Sequence, residues 1–345
     1  MEENSLMYRT ISVIAAAAAL TAAGVAQADT TIRLETYAGP RHAMNTNGWP
    51  TWIKDLTKAS AGKVKVRMTY PPINPRVLYD RVRDGIADMA WITHGYTTGR
   101  FVLTQMVELP GADGNAEQMS RAFWRTYTGR FGKRDEHKGV QLVALFTHGP
   151  GLVHSRGPIA NIGQVKGMKV RTGGGVQSQI AKRLGIVSVS APVTKAQEIL
   201  QQGVADGIFF SIETIYSFKL GGVVKHHYAL PGGLYSASFA VVMNQRKYDG
   251  LNAADKAALK KVGGEHMSGI MGRTWDGADS LAVEKLTAAG NKVGVFDAAT
   301  AKAVKAKLAG LDDWWIKRAV AEGAKDAADV LKALRAEVQK VKKGM

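Results

Sequence analysis

Short strand-like segments alternate with amphipathic, helix-like segments along the first two thirds of the chain, and this alternation limits the possible folds more than any other feature. Residues 31–36 and 64–70 have the composition and alternation of strands. Between them, residues 45–60 carry apolar side chains at helical spacing, and Gly62 ends the pattern. Neighbouring parallel strands are joined by such crossover helices. The sequence therefore predicts an α/β class of fold.

A second block of the chain repeats this plan. Its predicted strands are residues 140–146, 151–155, 167–171, 186–189 and 207–212, and its predicted helices are residues 176–184 and 195–202. Both blocks contain the same local motif, in DGIADM (84–89) and QGVADG (202–207). In each, a glycine ends a helix and an acidic turn follows. This similarity predicts two related α/β halves, with common turn chemistry as the alternative explanation.

The last third of the chain is helix-like and rich in alanine and lysine. Trp314 and Trp315 are predicted to anchor these helices by packing. Residues 324–343 form an amphipathic pattern whose apolar stripe is interpreted as core packing. The C-terminal helices are therefore expected to lie against the sheets.

The amino terminus has the three parts of a secretory signal peptide. Residues 11–25 are apolar and uncharged, and Ala26-Gln27-Ala28 places small residues where a signal peptidase reads them. A membrane anchor is the alternative, but the run is shorter than the roughly 20 residues that a span needs. We therefore predict that residues 1–28 are removed, with translation starting at Met1 or Met7.

Composition narrows the classes of function. The formal net charge is +17 and the chain has no cysteine, which excludes thiolate metal sites and cysteine nucleophiles. Lysine and arginine are dispersed rather than interleaved with aromatic residues, so no nucleic-acid partner is expected. No serine-hydrolase, zinc-protease or phosphate-loop motif is present, and His226-His227 has no carboxylate at metal-ligand spacing. The sequence thus predicts no metal, no cofactor and no enzymatic activity.

Arg171 is the most informative candidate for binding an anion. It ends the predicted strand GMKVR (167–171), and after Thr172 three glycines open a helix. Backbone N–H groups at the start of a helix favour anions, and a guanidinium matches a carboxylate with two hydrogen bonds. The alternative is a structural arginine at the end of a strand.

Other candidates follow the strands of the first block. Arg41 and His42 come after the first strand, and Thr93, His94 and Tyr96 come after the strand that begins near residue 88. Ligands of open α/β sheets bind beyond the carboxyl ends of the strands. These five side chains are therefore candidates for contact with a ligand, and a structural role is the alternative for each.

Several segments, taken in order, resemble the solute-binding proteins of tripartite ATP-independent periplasmic (TRAP) transporters, the DctP family. The segments are GIADM (85–89), LP (109–110), PIANIGQVKGMKVR (158–171), QEILQQGVADG (197–207) and MNQRKYDGL (243–251). The resemblance covers essentially the whole chain after residue 28. It implies a soluble periplasmic protein that captures an organic acid anion and delivers it to small and large TRAP membrane subunits.

The resemblance also implies a two-domain periplasmic-binding-protein-like fold with a ligand cleft between the domains and bracing C-terminal helices. We expect residues 29–150 and 240–275 in the first domain, and residues 151–239 and 276–345 in the second. In this family an arginine on a strand pairs with the ligand carboxylate. Arg171 stands at that position.

The chain departs from well-known members in two places. Residues 147–151 (THGPG) lack a second arginine that some members carry there, which leaves His148 or Arg41 as a substitute cation. Residues 207–213 read GIFFSIE where polar residues are usual, which makes Phe210 and Glu213 candidates. Because strand side chains alternate, one of Phe209 and Phe210 is expected to face the cleft.

These departures predict an apolar cleft with a single cation. We therefore expect an aromatic monocarboxylate such as a benzoate or hydroxybenzoate. The alternatives are a C4-dicarboxylate, a 2-oxo or 2-hydroxy acid, or an enzyme acting on a small acid.

Overall fold

A computed structural model describes residues 29–134 and 136–345. The predicted signal peptide, residues 1–28, lies outside the described residues. Within them, no helix combines the length and apolarity needed to cross a bilayer.

The first sheet has five strands in the order β2-β1-β3-β10-β4. They are β1 (Thr30–Glu35), β2 (Val64–Thr69), β3 (Met89–Thr93), β4 (Val140–Thr147) and β10 (Ser238–Asn244). Strand β1 pairs in parallel with β2 and β3, as the crossover pattern predicts, whereas β10 is antiparallel to β3 and β4. The chain therefore returns to the first sheet after building most of the second.

The second sheet has six strands in the order β11-β9-β5-β8-β6-β7. They are β5 (Leu152–Ser155), β6 (Lys169–Thr172), β7 (Val187–Ser190), β8 (Gly207–Phe210), β9 (His226–Ala229) and β11 (Lys292–Val295). Strand β6 is parallel to β7 and β8, and β5 is antiparallel to β8 and β9. The two sheets with their helices confirm the predicted α/β fold.

Twelve α-helices occur in the described part of the chain. They are α1 (Trp49–Ala59), α2 (Leu78–Arg83), α3 (Ala116–Phe131), α4 (Gly175–Leu184), α5 (Ala196–Gln201), α6 (Ile212–Ser217), α7 (Gln245–Asp249), α8 (Ala253–Val262), α9 (Gly264–Ala288), α10 (Ala298–Leu308), α11 (Leu311–Ala321) and α12 (Ala327–Lys342).

Helix α9 joins the two halves of the molecule. Its Asp276 accepts hydrogen bonds from the N–H groups of Ala116 (2.7 Å) and Glu117 (3.0 Å) at the start of α3, beside the first sheet. One turn later, Asp279 accepts from the N–H of Glu213 (2.9 Å) at the start of α6, beside the second sheet. Carboxylates complement the unpaired N–H groups of a helix start. Helix α9 is therefore hydrogen-bonded to both halves.

The C-terminal helices brace the sheets. Trp315 is fully buried and donates its indole N–H to the carbonyl oxygen of Val102 at 2.8 Å. Helix α12 lies against α3 and buries the predicted apolar stripe, including Leu334 and Val338. Because α3 belongs to the first half, the assignment of residues 276–345 to a second domain stays a prediction.

Candidate functional site

A cavity lies between the two sheets. It is found beyond the carboxyl ends of β1, β3, β6 and β8, where open α/β sheets bind ligands. Its aromatic lining consists of Tyr37, Trp91, Tyr96, Phe210, Phe218, Phe239 and Trp275. Its polar lining consists of His42, Thr93, Glu108, His148, Arg171, Gln177 and Thr214. The aromatic walls and the polar side chains suit a small organic molecule with one polar end.

Arg171 is fully buried and is fixed by backbone carbonyls. Its Nε donates to the carbonyl oxygen of Ala191 at 2.8 Å, and Nη2 donates to the same oxygen. Nη1 lies 3.5 Å from the carbonyl oxygen of Phe209, and the guanidinium carbon lies 4.1 Å from the ring centroid of Phe210. These contacts set the orientation of the fork before a ligand binds.

Arg171 has no anionic partner in the described chain, where none of the ion pairs includes it. Burial lowers the pKa of Arg171 from its usual value, which shows that the charged form is disfavoured by desolvation. An arginine nevertheless stays protonated in proteins. A buried cation without a partner is costly, and a ligand carboxylate in the cavity would remove that cost.

The two halves touch each other beside Arg171. The hydroxyl of Tyr96, from the first half, accepts from the N–H of Val193 at 3.0 Å and lies 3.4 Å from Nη2 of Arg171. A Cβ added to Gly95 would stand 2.9 Å from the carbonyl oxygen of Gly173, so only glycine fits this approach without a shift. The backbones therefore close over one side of the cavity.

Glu108 forms a further contact between the halves. Its Oε2 accepts from the N–H of Val176 at 3.3 Å, at the start of α4, and its Oε1 accepts from the Ser238 hydroxyl at 2.6 Å. Burial raises the pKa of Glu108. This carboxyl group is therefore hydrogen-bonded within the protein, and burial disfavours its negatively charged form beside the ligand.

The aromatic wall opposite these contacts is built by side chains from distant parts of the sequence. Phe239 stacks on Trp275 with ring centroids 5.2 Å apart, and Trp91 lies edge-on to both at 5.5 and 5.6 Å. Tyr37 packs on Trp91 at 4.7 Å. Such offset and edge-on arrangements are the preferred ones for aromatic rings, and they favour an aromatic ligand.

His148 lies in this wall as a neutral ring. Burial lowers the pKa of His148 to about 4. Its Nδ1 contacts the carbonyl oxygen of Gly149, which can only accept a hydrogen bond, so Nδ1 carries the proton. His148 is therefore uncharged near neutral pH and does not supply a second cation.

The structure brings six of the nine predicted site residues to the cavity. They are His42, Thr93, Tyr96, His148, Arg171 and Phe210. Phe210 faces the cavity, whereas Phe209 is buried in the core. Both outcomes follow from alternation along β8.

Three predicted residues lie elsewhere. Arg41 is exposed and lines an outer groove rather than the cavity. His94 turns into the core, where Nδ1 lies 3.0 Å from the Ser238 hydroxyl and Nε2 lies 2.9 Å from Nε2 of His137. Glu213 lies behind the cavity wall, 3.3 Å from Nε2 of His42, and positions that ring.

The sequence analysis did not propose several lining residues, among them Tyr37, Trp91, Glu108, Gln177, Phe218, Phe239 and Trp275. Trp91 and Phe239 lie on the same face of the sheet because Trp91 pairs with Val241, two residues from Phe239, and the local pattern cannot show this register. Trp275 comes from the middle of α9. Within the described residues, no cluster of three or more histidine, aspartate or glutamate side chains is arranged to hold a metal ion.

The family model for bacterial extracellular solute-binding proteins of family 7 (DctP) matches residues 36–316. The chain therefore belongs to this family of transport proteins, and the resemblance found in the sequence is confirmed.

Solved structures share the fold over nearly their whole length. A TRAP periplasmic solute-binding protein from Bordetella bronchiseptica, with bound (R)- and (S)-mandelate, is 34% identical, with a TM-score of 0.87 over 90% of this chain and 99% of that one. A TRAP solute-binding protein from Rhodoferax ferrireducens, with copurified benzoate, is 28% identical, with a TM-score of 0.85 over 91% and 99%. A marine metagenome protein specific for aromatic acids, with 3-hydroxybenzoate, is 29% identical, with a TM-score of 0.85 over 91% and 99%.

Proposed function

We propose that this chain is the periplasmic receptor of a TRAP transporter and captures an aromatic monocarboxylate such as a benzoate or hydroxybenzoate. The observation that carries the proposal is the buried, unpaired guanidinium of Arg171 at the polar end of an aromatic cavity. The ligand carboxylate pairs with this fork, and the ring packs between the aromatic walls. Charge-assisted hydrogen bonds of this kind contribute about 1.5–3 kcal/mol each.

The solved relatives support the same ligand class. Mandelate, benzoate and 3-hydroxybenzoate each combine one carboxylate with one aromatic ring. The aromatic lining of this cavity matches that chemistry. Delivery to small and large membrane subunits, the absence of catalysis and cleavage before Asp29 belong to the same proposal.

A dicarboxylate is the main competing ligand, and the cavity disfavours it. A second carboxylate needs a second cation, because an unpaired buried charge is expensive. His148 is neutral near pH 7, and Arg41 lies outside the cavity. A 2-hydroxy acid with an aromatic body remains compatible with the site, whereas small aliphatic acids would leave the walls uncovered.

Competitive calorimetry tests the ligand class. Benzoate, 4-hydroxybenzoate, mandelate, lactate, succinate and malate are titrated into the mature protein. Aromatic monocarboxylates should bind most tightly, and each should raise the unfolding temperature. A ligand at 100 times its dissociation constant adds about 2.7 kcal/mol to the free energy of unfolding. Tighter binding of succinate or malate than of every aromatic acid would contradict the proposal.

Export is tested separately. Mass spectrometry of the periplasmic fraction should find a mature protein that begins at Asp29. An intact amino terminus in the cytoplasm would contradict the export step, whatever the ligand.

A further inference from the structure

Two buried polar atoms in the aromatic wall have no hydrogen-bond partner. Nε1 of Trp91 and Nε2 of His148 are both buried, and neither contacts a donor or acceptor within the described chain. Both side chains line the cavity. Buried polar groups are paired in the great majority of cases, so an unpaired one in a cavity wall calls for an explanation.

The chemical roles of the two atoms are opposite. An indole N–H can only donate. In His148 the proton lies on Nδ1, facing the carbonyl oxygen of Gly149, which leaves a lone pair on Nε2. The low pKa of His148, about 4, keeps this neutral form at the pH of the periplasm. The wall therefore offers one donor and one acceptor.

Both side chains belong to the part of the cavity that is lined by Phe239 and Trp275. The ring of His148 lies 5.9 Å from Phe239 and 6.0 Å from Trp275, and Trp91 contacts the same stacked pair. Arg171 instead contacts Phe210 and Tyr96. The two side chains therefore lie in the part of the cavity that would hold the body of a ligand whose carboxylate pairs with Arg171.

We propose that His148 and Trp91 form a subsite for a ring hydroxyl of the bound aromatic acid, an inference that rests on the proposed function. The hydroxyl donates to Nε2 of His148 and accepts from Nε1 of Trp91. A hydroxyl is the smallest common substituent that does both. A methoxy group cannot donate, and a second carboxylate would present its negative charge to the lone pair of His148.

The test compares matched ligands on the mature protein. Dissociation constants are measured for benzoate, for the 2-, 3- and 4-hydroxybenzoates and for the corresponding methoxybenzoates. At least one hydroxybenzoate should bind about tenfold or more tightly than benzoate, because it pairs two buried polar atoms that benzoate leaves unpaired. Its methoxy counterpart should bind no more tightly than benzoate.

Variants assign the preference to the two residues. The ratio of the dissociation constants of benzoate and the preferred hydroxybenzoate is measured for His148→Phe and Trp91→Phe. In each variant this ratio should fall to about threefold or less. Trp49→Phe is the matched control, since the Trp49 indole N–H is also buried and unpaired but lies outside the cavity lining. Its ratio should equal that of the wild type.

The outcomes separate this inference from the proposed function. If benzoate binds but no hydroxybenzoate binds more tightly, the subsite is wrong and the proposed function stands. An unchanged ratio in both cavity variants also overturns the subsite. If no aromatic acid binds, the proposed function fails and the inference fails with it. If a variant does not fold, the comparison of hydroxybenzoates with methoxybenzoates on the wild-type protein still tests the subsite.

Discussion

Arg171 receives its geometry from main-chain carbonyl groups and not from a carboxylate. The carbonyl oxygens of Ala191 and Phe209 accept from the guanidinium, and the Phe210 ring lies against its face. These neutral contacts orient the side chain without neutralising it. The charge therefore remains available for a ligand. The entropy cost of ordering the Arg171 side chain is already included in folding, so it does not reduce the affinity.

Substitution of Arg171 should remove affinity while the fold persists. Arg171→Lys keeps a charge but loses the planar fork, so affinity should fall at least tenfold, about 1.4 kcal/mol. Arg171→Ala should abolish binding measurable by calorimetry. Lys169→Ala, an exposed residue of the same strand, is the matched control and should bind normally. Near-native affinity in Arg171→Ala, with a native circular dichroism spectrum, would show that Arg171 is only structural.

The sequence predicted those site residues whose direction follows from a regular strand. Arg171 and Phe210 lie near the ends of β6 and β8, where alternation decides which side chains face the cavity. His94 and Tyr96 occupy a single turn after β3, and their side chains point in opposite directions. No local pattern distinguishes them. Trp275 reaches the site only through the packing of helix α9, which begins about 170 residues after β3.

At the scale of elements, short turns bring the two halves together. The turn after β3 meets the turn between β6 and α4, where Gly95 lies against Gly173 and Gly174. Gly174 has φ +89°, a conformation that favours glycine, whereas only space restricts Gly95. A substitution of Gly95 therefore tests the closure of the two halves without adding backbone strain.

Gly95→Ala should weaken ligand binding by keeping the halves apart. The added Cβ would stand 2.9 Å from the carbonyl oxygen of Gly173, so closure would require a shift of the backbone. Affinity for the preferred aromatic acid should fall about tenfold, with little change in the unfolding temperature of the ligand-free protein. Gly157→Ala, whose Cβ would meet open space, serves as the control. Equal affinities for the two variants would exclude a role for this contact.

Strands β5 and β9 carry a buried histidine pair that should make stability depend on pH. Nδ1 of His154 lies 2.8 Å from Nδ1 of His227, and burial lowers the pKa of both rings. The unfolded chain binds a proton on each ring below about pH 6.5, whereas the folded protein does so only at lower pH. The free energy of unfolding therefore falls as the pH drops below 6.5, by up to about 1.4 kcal/mol per pH unit for each ring.

Urea unfolding between pH 4.5 and 7 tests this pair. A His154→Leu/His227→Leu double variant removes the two protons that the unfolded chain binds at a higher pH than the folded protein does. Its free energy of unfolding should therefore change less steeply with pH than that of the wild type. The comparison of the two proteins cancels the contributions of buried carboxyl groups such as Glu108 and Asp279, whose raised pKa values act in the opposite direction. Parallel pH profiles would contradict the prediction.

The sequence predicted most of the helices and strands. It missed elements whose local amino-acid pattern is weak and elements that depend on pairing with distant residues. Strand β4 spans Val140–Thr147, within one residue of the predicted 140–146, because a mostly apolar run marks it. Strand β9 was missed, since four residues with two histidines carry little alternation. Helix α3 was also missed, although Asn115 and Gln118 form a capping box at its start.

At the scale of the whole molecule, helix α9, contacts around the cavity and an apolar core with residues from both sheets connect the halves. Asp276 and Asp279 fix α9 to one element of each half, and Trp275, next to Asp276, reaches the ligand cavity. The contacts beside Arg171 are small: one tyrosine hydroxyl, one glycine approach and one carboxyl group. A ligand carboxylate that pairs with the buried Arg171 should add to the free energy that favours closure.

Ligand binding should therefore compact the wild-type protein but not Arg171→Ala. Small-angle X-ray scattering of the mature protein, with and without a saturating aromatic acid, measures the radius of gyration. We expect a decrease in the wild type and no change in Arg171→Ala, because a ligand shifts a conformational equilibrium only by its differential affinity for the two states. Lys169→Ala should compact as the wild type does. If the wild type shows the same radius with and without a bound ligand, the halves are closed beforehand, and contacts within the protein suffice to hold them together.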